Sequence, residues 1–176
     1  MVMVRSVNLP DDLADIDAVD RSFTTDRIYR VVCTPQSFAL EEVPVHPPLC
    51  KHYPFEADLG EGREGEHGLI AEDSGAVVGF ATFAHERWNR RTTLWHLYVA
   101  ATHRKQGVGS ALFEGVIEHA RSAGMRCVWL ETSTLAYPAI QFYRRLGFEL
   151  CGLDTSLYDS AVTLPGETAL YFARPV

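Results

Sequence analysis

The sequence of 176 residues contains no apolar run near the roughly 20 residues that cross a bilayer. Its first residues also lack the basic start and long apolar centre of a signal peptide. Both absences predict a cytoplasmic protein without a membrane partner. There are only four cysteines and none has CxxC spacing, so we expect reduced thiols, with Cys127 and Cys151 in core strands.

An excess of positive charge is also absent. The sequence has 16 Lys and Arg against 23 Asp and Glu, which gives a net charge of −7. Nucleic acid is therefore not an expected partner, because phosphate neutralisation needs a basic face. The acidity is compatible with a cationic small molecule, but the charge alone favours a role in solubility. The seven histidines form no HxH or HxxxH pair, so no metal site is expected.

The order of periodic segments predicts one domain over residues 1–176 of the α/β (α+β) class. Strand patterns dominate the first part, and helices and strands alternate in the second. The predicted elements are a strand at Val2–Val7, a helix with Leu13, Ile16 and Val19 on one face, an irregular region over residues 21–59, a hairpin around Asp73-Ser74-Gly75, a strand at Thr92–Val99, a helix at Val108–Ala123, a strand at Cys127–Glu131, a helix from Pro138 to Gly147, and strands at Phe148–Gly152 and Thr168–Phe172.

A glycine-containing turn, Arg104–Ser110, opens the long predicted helix at Val108. The first turn of a helix has backbone N–H groups without internal partners, and the helix dipole adds partial positive charge there. Gly107 and Gly109 allow a ligand to approach the backbone closely, and two cationic residues add fixed charge. The turn therefore predicts a bound phosphate group.

Two familiar phosphate loops do not match this turn. It lacks the GK[ST] ending of a P-loop, and Leu112 stands where a dinucleotide-binding turn has its third glycine. What remains is Arg104-x-x-Gly107-x-Gly109, followed by a helix that carries Tyr143-Arg144-Arg145-Leu146-Gly147-Phe148. In this order the chain resembles the GNAT superfamily of acetyl-CoA-dependent N-acetyltransferases, whose pyrophosphate loop reads [Q/R]-x-x-G-x-[G/A] and whose next helix often ends Y-x-x-x-G-F. The resemblance implies the GNAT fold, a central mixed, mostly antiparallel sheet flanked by helices, with acetyl-CoA as co-substrate.

A narrower resemblance is to the streptothricin (nourseothricin) acetyltransferases, which acetylate an amine on the β-lysine part of the antibiotic and confer resistance. It is carried by Ser22–Asp26, Glu42–Val45, Pro47–Leu49, Trp88–Arg91, Tyr143–Arg145, Cys151–Thr155 and Leu157–Asp159. The chain departs from that family at Trp95, His96 and Tyr98, where relatives carry acidic residues, at His46 in place of an aspartate, and at Ala136 in place of an asparagine. The superfamily often forms homodimers, which leaves a homodimer open here.

The resemblance implies that Tyr143 is the acid that protonates the thiolate of coenzyme A. Two residues compete for the base: His96, whose reference pKa suits the task, and Glu131 at the end of the next strand. Strand alternation places His96 on one face with Leu94 and Tyr98. The acetyl-CoA contacts implied by the resemblance are the backbone of Leu97 and Val99 on the pantetheine arm and the backbone amides of Gln106, Gly107, Val108, Gly109 and Ser110 on the pyrophosphate, with Tyr98, Lys105, Ala139 and Phe142. Arg104 is expected to hold phosphate or to brace the loop.

Acceptor contacts are expected from Asp20, Phe23, Asp26, Trp88 and Tyr158, with Glu41 and Glu42 as further carboxylates. Three functions stay open: acetylation of a streptothricin-like antibiotic, acetylation of another amine such as a polyamine, aminoglycoside or peptide, or acyl-CoA binding without catalysis.

Overall fold

The computed structural model describes residues 2–54, 66–159, 161 and 163–176. This part of the chain contains nine strands and three α-helices. In chain order they are β1 (Met3–Ser6), α1 (Leu13–Asp17), β2 (Ser22–Thr34), β3 (Ser37–His52), β4 (Glu66–Asp73), β5 (Ala76–Glu86), β6 (Arg91–Val99), α2 (Val108–Ser122), β7 (Cys127–Ser133), α3 (Tyr137–Arg145), β8 (Glu149–Asp154) and β9 (Ala169–Pro175).

The chain divides into two compact units, one made of residues 1–22, 53–129 and 175–176, the other of residues 23–52 and 130–174. In the first unit β1, β4, β5 and β6 pair in that order and all antiparallel. In the second, β7, β9 and β8 are neighbours in that order, and β2 pairs with β3 in a separate sheet. The predicted mixed, mostly antiparallel sheet with helices is confirmed. One domain over residues 1–176 stays a prediction.

The hairpin between β4 and β5 confirms the signal in Asp73-Ser74-Gly75. Ser74 and Gly75 form a two-residue loop with φ values of 53° and 84°. Positive φ at both positions is the mark of a type I′ turn, whose twist matches that of the paired strands.

Helix α2 lies close against β4 and β5 because two glycines leave room for it. A Cβ atom on Gly115 would come within 2.7 Å of Leu69 Cδ1, and one on Gly79 within 3.2 Å of Leu112 Cδ1. The helix buries its apolar face at Val108, Leu112, Phe113, Val116, Ile117 and Ala120. This packing fixes the start of α2, and with it the glycine turn.

The region over residues 21–59 was predicted to be irregular, and that prediction is wrong for residues 22–52. They form two long paired strands, β2 and β3. The prolines at 44, 47 and 48 explain the difference: proline has no N–H to donate and is typical of loops and of edge strands, and both strands of a two-stranded sheet are edge strands. Residues 55–59 lie outside the described part of the chain.

The predicted core position of Cys127 is confirmed, but Cys151 is exposed. Cys151 lies in β8, which ends the strand order and whose first three residues are all exposed. Strand periodicity alone does not distinguish such an edge strand from a core strand.

Helix α3 ends in a Schellman motif. Gly147 has φ of 86°, its N–H donates to Arg144 O, and the N–H of Phe148 donates to Tyr143 O. The ring of Phe148 then packs 5.7 Å from the ring of Tyr143. This contact between the residue after the glycine and the last full turn is typical of the motif. It gives the Y-x-x-x-G-F pattern a structural cause: the cap fixes the turn that carries Tyr143.

Side chains of β2 and β3 also hold α3, at its middle and at its C-terminal turn. The Tyr29 hydroxyl accepts hydrogen bonds from Gln141 Nε2 at 2.9 Å and Arg144 Nη1 at 2.7 Å. It donates in turn to Glu42 Oε1 at 3.0 Å. Burial and Glu42 raise the pKa of Tyr29, so it stays a neutral donor. The helix that carries Tyr143 is therefore fixed by polar contacts as well as by its cap.

Candidate active site

The glycine turn has the geometry of an anion site. Gly107 is the N-cap of α2 with φ of 88°, a left-handed value, and no side chain caps the helix. Its carbonyl accepts the N–H of Ala111, which leaves the N–H groups of the first turn without partners inside the helix. These groups and the helix dipole suit a diphosphate. The residues present therefore fit the phosphate end of coenzyme A.

We expect Gly107→Val to weaken binding of acetyl-CoA by at least about tenfold, a loss of roughly 1.4 kcal/mol. Apart from its chain neighbours, no heavy atom lies within 4 Å of the place where a Cβ would stand. The added side chain would therefore obstruct a ligand rather than the protein. Calorimetric titration of each variant with acetyl-CoA measures the effect.

The matched control is Gly75→Val. Gly75 has nearly the same φ, 84°, and the same open space around a Cβ, but lies in the β4–β5 hairpin. Backbone strain should lower the free energy of unfolding of both variants by a similar amount, about 1–2 kcal/mol. Unchanged affinity in Gly107→Val would show that the diphosphate binds elsewhere.

Two side chains of the glycine turn, those of Arg104 and Gln106, brace it. Arg104 Nε donates to Val99 O at 2.9 Å and Nη2 to Asp20 O at 3.2 Å, with the Asp20 carboxylate 3.8 Å away. Gln106 Nε2 donates to Thr102 O at 2.8 Å. Asp20 is predicted as an acceptor contact, and its contact with Arg104 connects residues 84 positions apart, which no sequence spacing indicates. In the turn, the backbone amides are therefore the groups that we expect to donate to phosphate.

A β-bulge at Trp95 changes the side-chain alternation in β6. Thr82 pairs with His96, but the next residue of β5, Phe83, pairs with Leu94. The Phe83 ring packs 5.3 Å from His119 of α2, so Leu94 shares the α2 face of the sheet. The prediction that Leu94 and His96 share a face is wrong, because the extra residue inverts the alternation.

His96 lies on the opposite face, among aromatic rings. Its Nδ1 and Thr82 Oγ1 are 2.7 Å apart, and its ring lies 6.1 Å from the Tyr98 ring and 6.4 Å from the Phe80 ring. The predicted shared face of His96 and Tyr98 is therefore confirmed. Phe80 belongs to the buried cluster under α1, so His96 borders the core.

The backbone of β6 presents Leu97 and Val99 away from β5. The N–H of Ala100 donates to Val78 O at 2.9 Å, which makes Ala100 and, two residues back, Tyr98 the residues bonded to β5. Antiparallel pairing then directs the backbone groups of Leu97 and Val99 to the other edge of the strand. Such groups can pair with an extended ligand as if it were a strand.

In the second unit, Glu131 of β7 is a half-buried carboxylate with a phenol as its partner. The Tyr158 hydroxyl donates a hydrogen bond to Glu131 Oε1. Burial raises the pKa of Glu131, and the nearby charge of Glu167 raises it further; the bond from Tyr158 and the charge of Lys51 act in the opposite direction. A carboxylate with a raised pKa is a better proton acceptor at neutral pH than an ordinary one. Tyr158, predicted as an acceptor contact, thus lies beside a candidate base.

Tyr143 is about nine-tenths buried, with its ring against those of Phe142 and Phe148. The ring contacts fix its orientation. Phe142, predicted to contact coenzyme A, packs edge-on to Tyr143 at 5.6 Å. Ala139, on the same helix, is partly exposed.

The other residues predicted to bind the acceptor differ in exposure and in their partners. Asp26 is exposed, and Phe23 is half-buried in β2. Trp88 is 84% exposed at the turn between β5 and β6. Glu41 pairs with Arg30, and Glu42 accepts from Tyr29 and Tyr137.

Three histidines that sequence spacing does not connect lie together in the first unit. The ring of His67 is 4.8 Å from His85 and 5.6 Å from His119. Burial lowers the pKa of His67 and of His85, so both favour the neutral form. Among the described residues, no group of three or more His, Cys, Asp and Glu is arranged to hold a metal ion. None of the described helices has both the length and the apolar character needed to span a membrane.

Comparison with known proteins identifies the class. The model of the acetyltransferase (GNAT) family matches residues 28–148, and the chain belongs to this family. It is an N-acetyltransferase, and acetyl-CoA is its co-substrate.

One relative and two solved structures match nearly the whole chain. A streptothricin acetyltransferase of Streptomyces lavendulae is 38% identical over 177 residues, covering 94% of this chain and 91% of the relative. The crystal structure of a nourseothricin acetyltransferase is 43% identical with a TM-score of 0.88, covering 99% of this chain and 98% of the other. A Bacillus anthracis structure with bound acetyl coenzyme A shares the fold, with a TM-score of 0.85, 21% identity and full coverage of both chains.

Proposed function

We propose that this enzyme acetylates a primary amine of a streptothricin-type antibiotic in the cytoplasm and so confers resistance. Similarity to streptothricin and nourseothricin acetyltransferases over nearly the whole chain supports the substrate class. The single observation that supports catalysis is that the carboxylate of Glu131 is half-buried and that burial raises its pKa. A homodimer stays a prediction from the superfamily.

Glu131 is proposed as the general base. A side-chain amine has a reference pKa near 10.4, so at neutral pH only about 0.1% of it is unprotonated. Removal of a proton from nitrogen is therefore part of the reaction. Glu131 can accept this proton, and its bond from Tyr158 holds the carboxylate in one orientation. His96 borders an aromatic cluster and is the alternative base.

Tyr143 is proposed as the general acid. Acetyl-CoA supplies an activated acetyl thioester, so the nitrogen–carbon bond forms as the carbon–sulfur bond breaks. The proton that leaves nitrogen goes to Glu131, and the phenol of Tyr143 donates the proton that the departing sulfur takes. The cap at Gly147 and the ring of Phe148 keep that phenol in place.

An amine panel tests the substrate class. Release of free thiol from acetyl-CoA is followed with streptothricin, a polyamine, an aminoglycoside and a lysine-containing peptide. We expect kcat/KM to be highest with streptothricin, and mass spectrometry to show one added acetyl group. Faster turnover of another amine would replace the substrate assignment, and acetyl-CoA binding without thiol release would indicate a non-catalytic domain.

A further inference from the structure

Glu167 is a buried carboxylate in the segment before β9. Its side chain is 1% exposed. Oε1 accepts a hydrogen bond from Ser133 Oγ at 2.6 Å and forms an ion pair with Lys51 Nζ of β3. Oε2 is also buried, and it accepts no hydrogen bond from the described residues.

If Glu167 has only a structural role, this arrangement lowers the stability of the folded protein without an evident benefit. A buried carboxylate oxygen without a hydrogen bond loses its hydration and gains nothing in return. An ion pair in the interior often contributes no more to stability than apolar residues of the same volume. A neutral amide could accept from Ser133 equally well. The negative charge itself is therefore the feature that needs an explanation.

The negative charge of Glu167 acts on the carboxylate of Glu131. Ser133, which donates to Glu167, comes two residues after Glu131 in β7, so both side chains project from the same face of the strand. The groups that act electrostatically on Glu131 come from several elements: Lys51 of β3, Tyr158 after β8, Glu167 before β9 and Tyr171 of β9. Glu167 raises the pKa of Glu131, whereas Lys51 lowers it.

We propose that Glu167 and Lys51 are positioning residues for the base: their ion pair anchors the face of β7 that carries Glu131 and sets the charge around it, without contact with the acceptor. The inference rests on the proposed role of Glu131. Opposite charges acting on one carboxylate make the proposal testable, because removal of each should have the opposite effect.

The two single variants should move the acid limb of the kcat/KM profile in opposite directions. Glu167→Gln keeps an acceptor for Ser133 but removes the negative charge, so Glu131 ionises more easily and the limb moves to lower pH. Lys51→Met removes the positive charge, so the limb moves to higher pH. In the double variant the two charges are lost together, and its limb should lie between those of the single variants.

The experiment measures kcat/KM from about pH 5 to 9 for the wild type and the three variants, with the exposed Glu149→Gln as control. We expect the control profile to overlay the wild type and the plateau kcat of Glu167→Gln to fall less than about tenfold. A folded Glu167→Gln variant with an unmoved limb overturns the proposal. So does a raised KM with an unmoved limb, because Glu167 would then contact the acceptor.

Two further readouts separate the possible failures. If Glu167→Gln does not fold, the test rests on Lys51→Met. An acid limb that does not move in the kcat/KM profile of Lys51→Met overturns the proposal. If Glu131→Gln keeps full turnover, the base assignment itself fails. If Glu131→Gln loses turnover but neither charge variant moves the limb, only the positioning role fails.

Discussion

Glu131→Gln is expected to reduce kcat by about 10²- to 10⁴-fold, the range over which general acid–base groups contribute. The amide cannot take a proton from the amine, yet it still offers an oxygen to the Tyr158 hydroxyl, which now donates to the carboxylate. The affinity for acetyl-CoA should stay unchanged. Steady-state thiol release and calorimetric binding measure the two quantities.

Stability distinguishes a catalytic role of Glu131 from a structural one. Because burial and Glu167 raise the pKa of this carboxyl in the folded state, the wild type loses stability as pH rises through that pKa. Glutamine does not ionise, so the variant avoids that loss. At neutral pH its thermal midpoint should equal or exceed that of the wild type while turnover is lost.

A parallel variant, His96→Gln, resolves the choice between the two bases. If the imidazole is the base, His96→Gln carries the loss of turnover and Glu131→Gln does not. Glu149→Gln, an exposed substitution in β8, controls for a general effect of removing a carboxylate. Full activity in Glu131→Gln would refute the proposed mechanism.

The features that the sequence predicts correctly are those encoded in a few neighbouring residues. The glycine turn and the Tyr143–Phe148 pattern are both helix ends, where a left-handed glycine and its flanking residues determine the geometry locally. The type I′ hairpin at Ser74-Gly75 is another such case. A short window of sequence contains all the information that these structures need.

What sequence reasoning missed depends on contacts between distant segments. Glu167 meets Lys51, 116 positions away in the chain, and Ser133, 34 positions away, so no spacing rule connects them. Arg104 is predicted to hold phosphate or to brace the loop, but the sequence does not tell which groups it bonds, the backbone carbonyls of Val99 and Asp20. A helical or strand period tells which face a residue occupies, but not which partner it finds there.

The bulge at Trp95 shows a second limit of prediction from sequence. Alternation assumes a regular strand, and one extra residue moves every later side chain to the other face. The sequence of β6 carries no glycine or proline that marks the irregularity. Its effect is to separate Leu94, which faces α2, from His96, which lies beside Thr82.

Tyr143→Phe should lower kcat by about 10- to 100-fold, which reaches only the lower end of the contribution of general acid–base groups, because the thiolate of coenzyme A is a good leaving group that needs less help from a proton donor. The phenyl ring keeps the contacts with Phe142 and Phe148, so thermal stability and acetyl-CoA affinity should barely change. Tyr137→Phe is the matched control, since it removes a hydroxyl from the same helix. Within the described part of the chain, that hydroxyl donates to Glu42. A fall in kcat with little change in KM would mean that the lost interaction acts in the transition state. Equal turnover in the Tyr143 and Tyr137 variants would exclude the phenol from the reaction and leave Tyr143 as a packing residue.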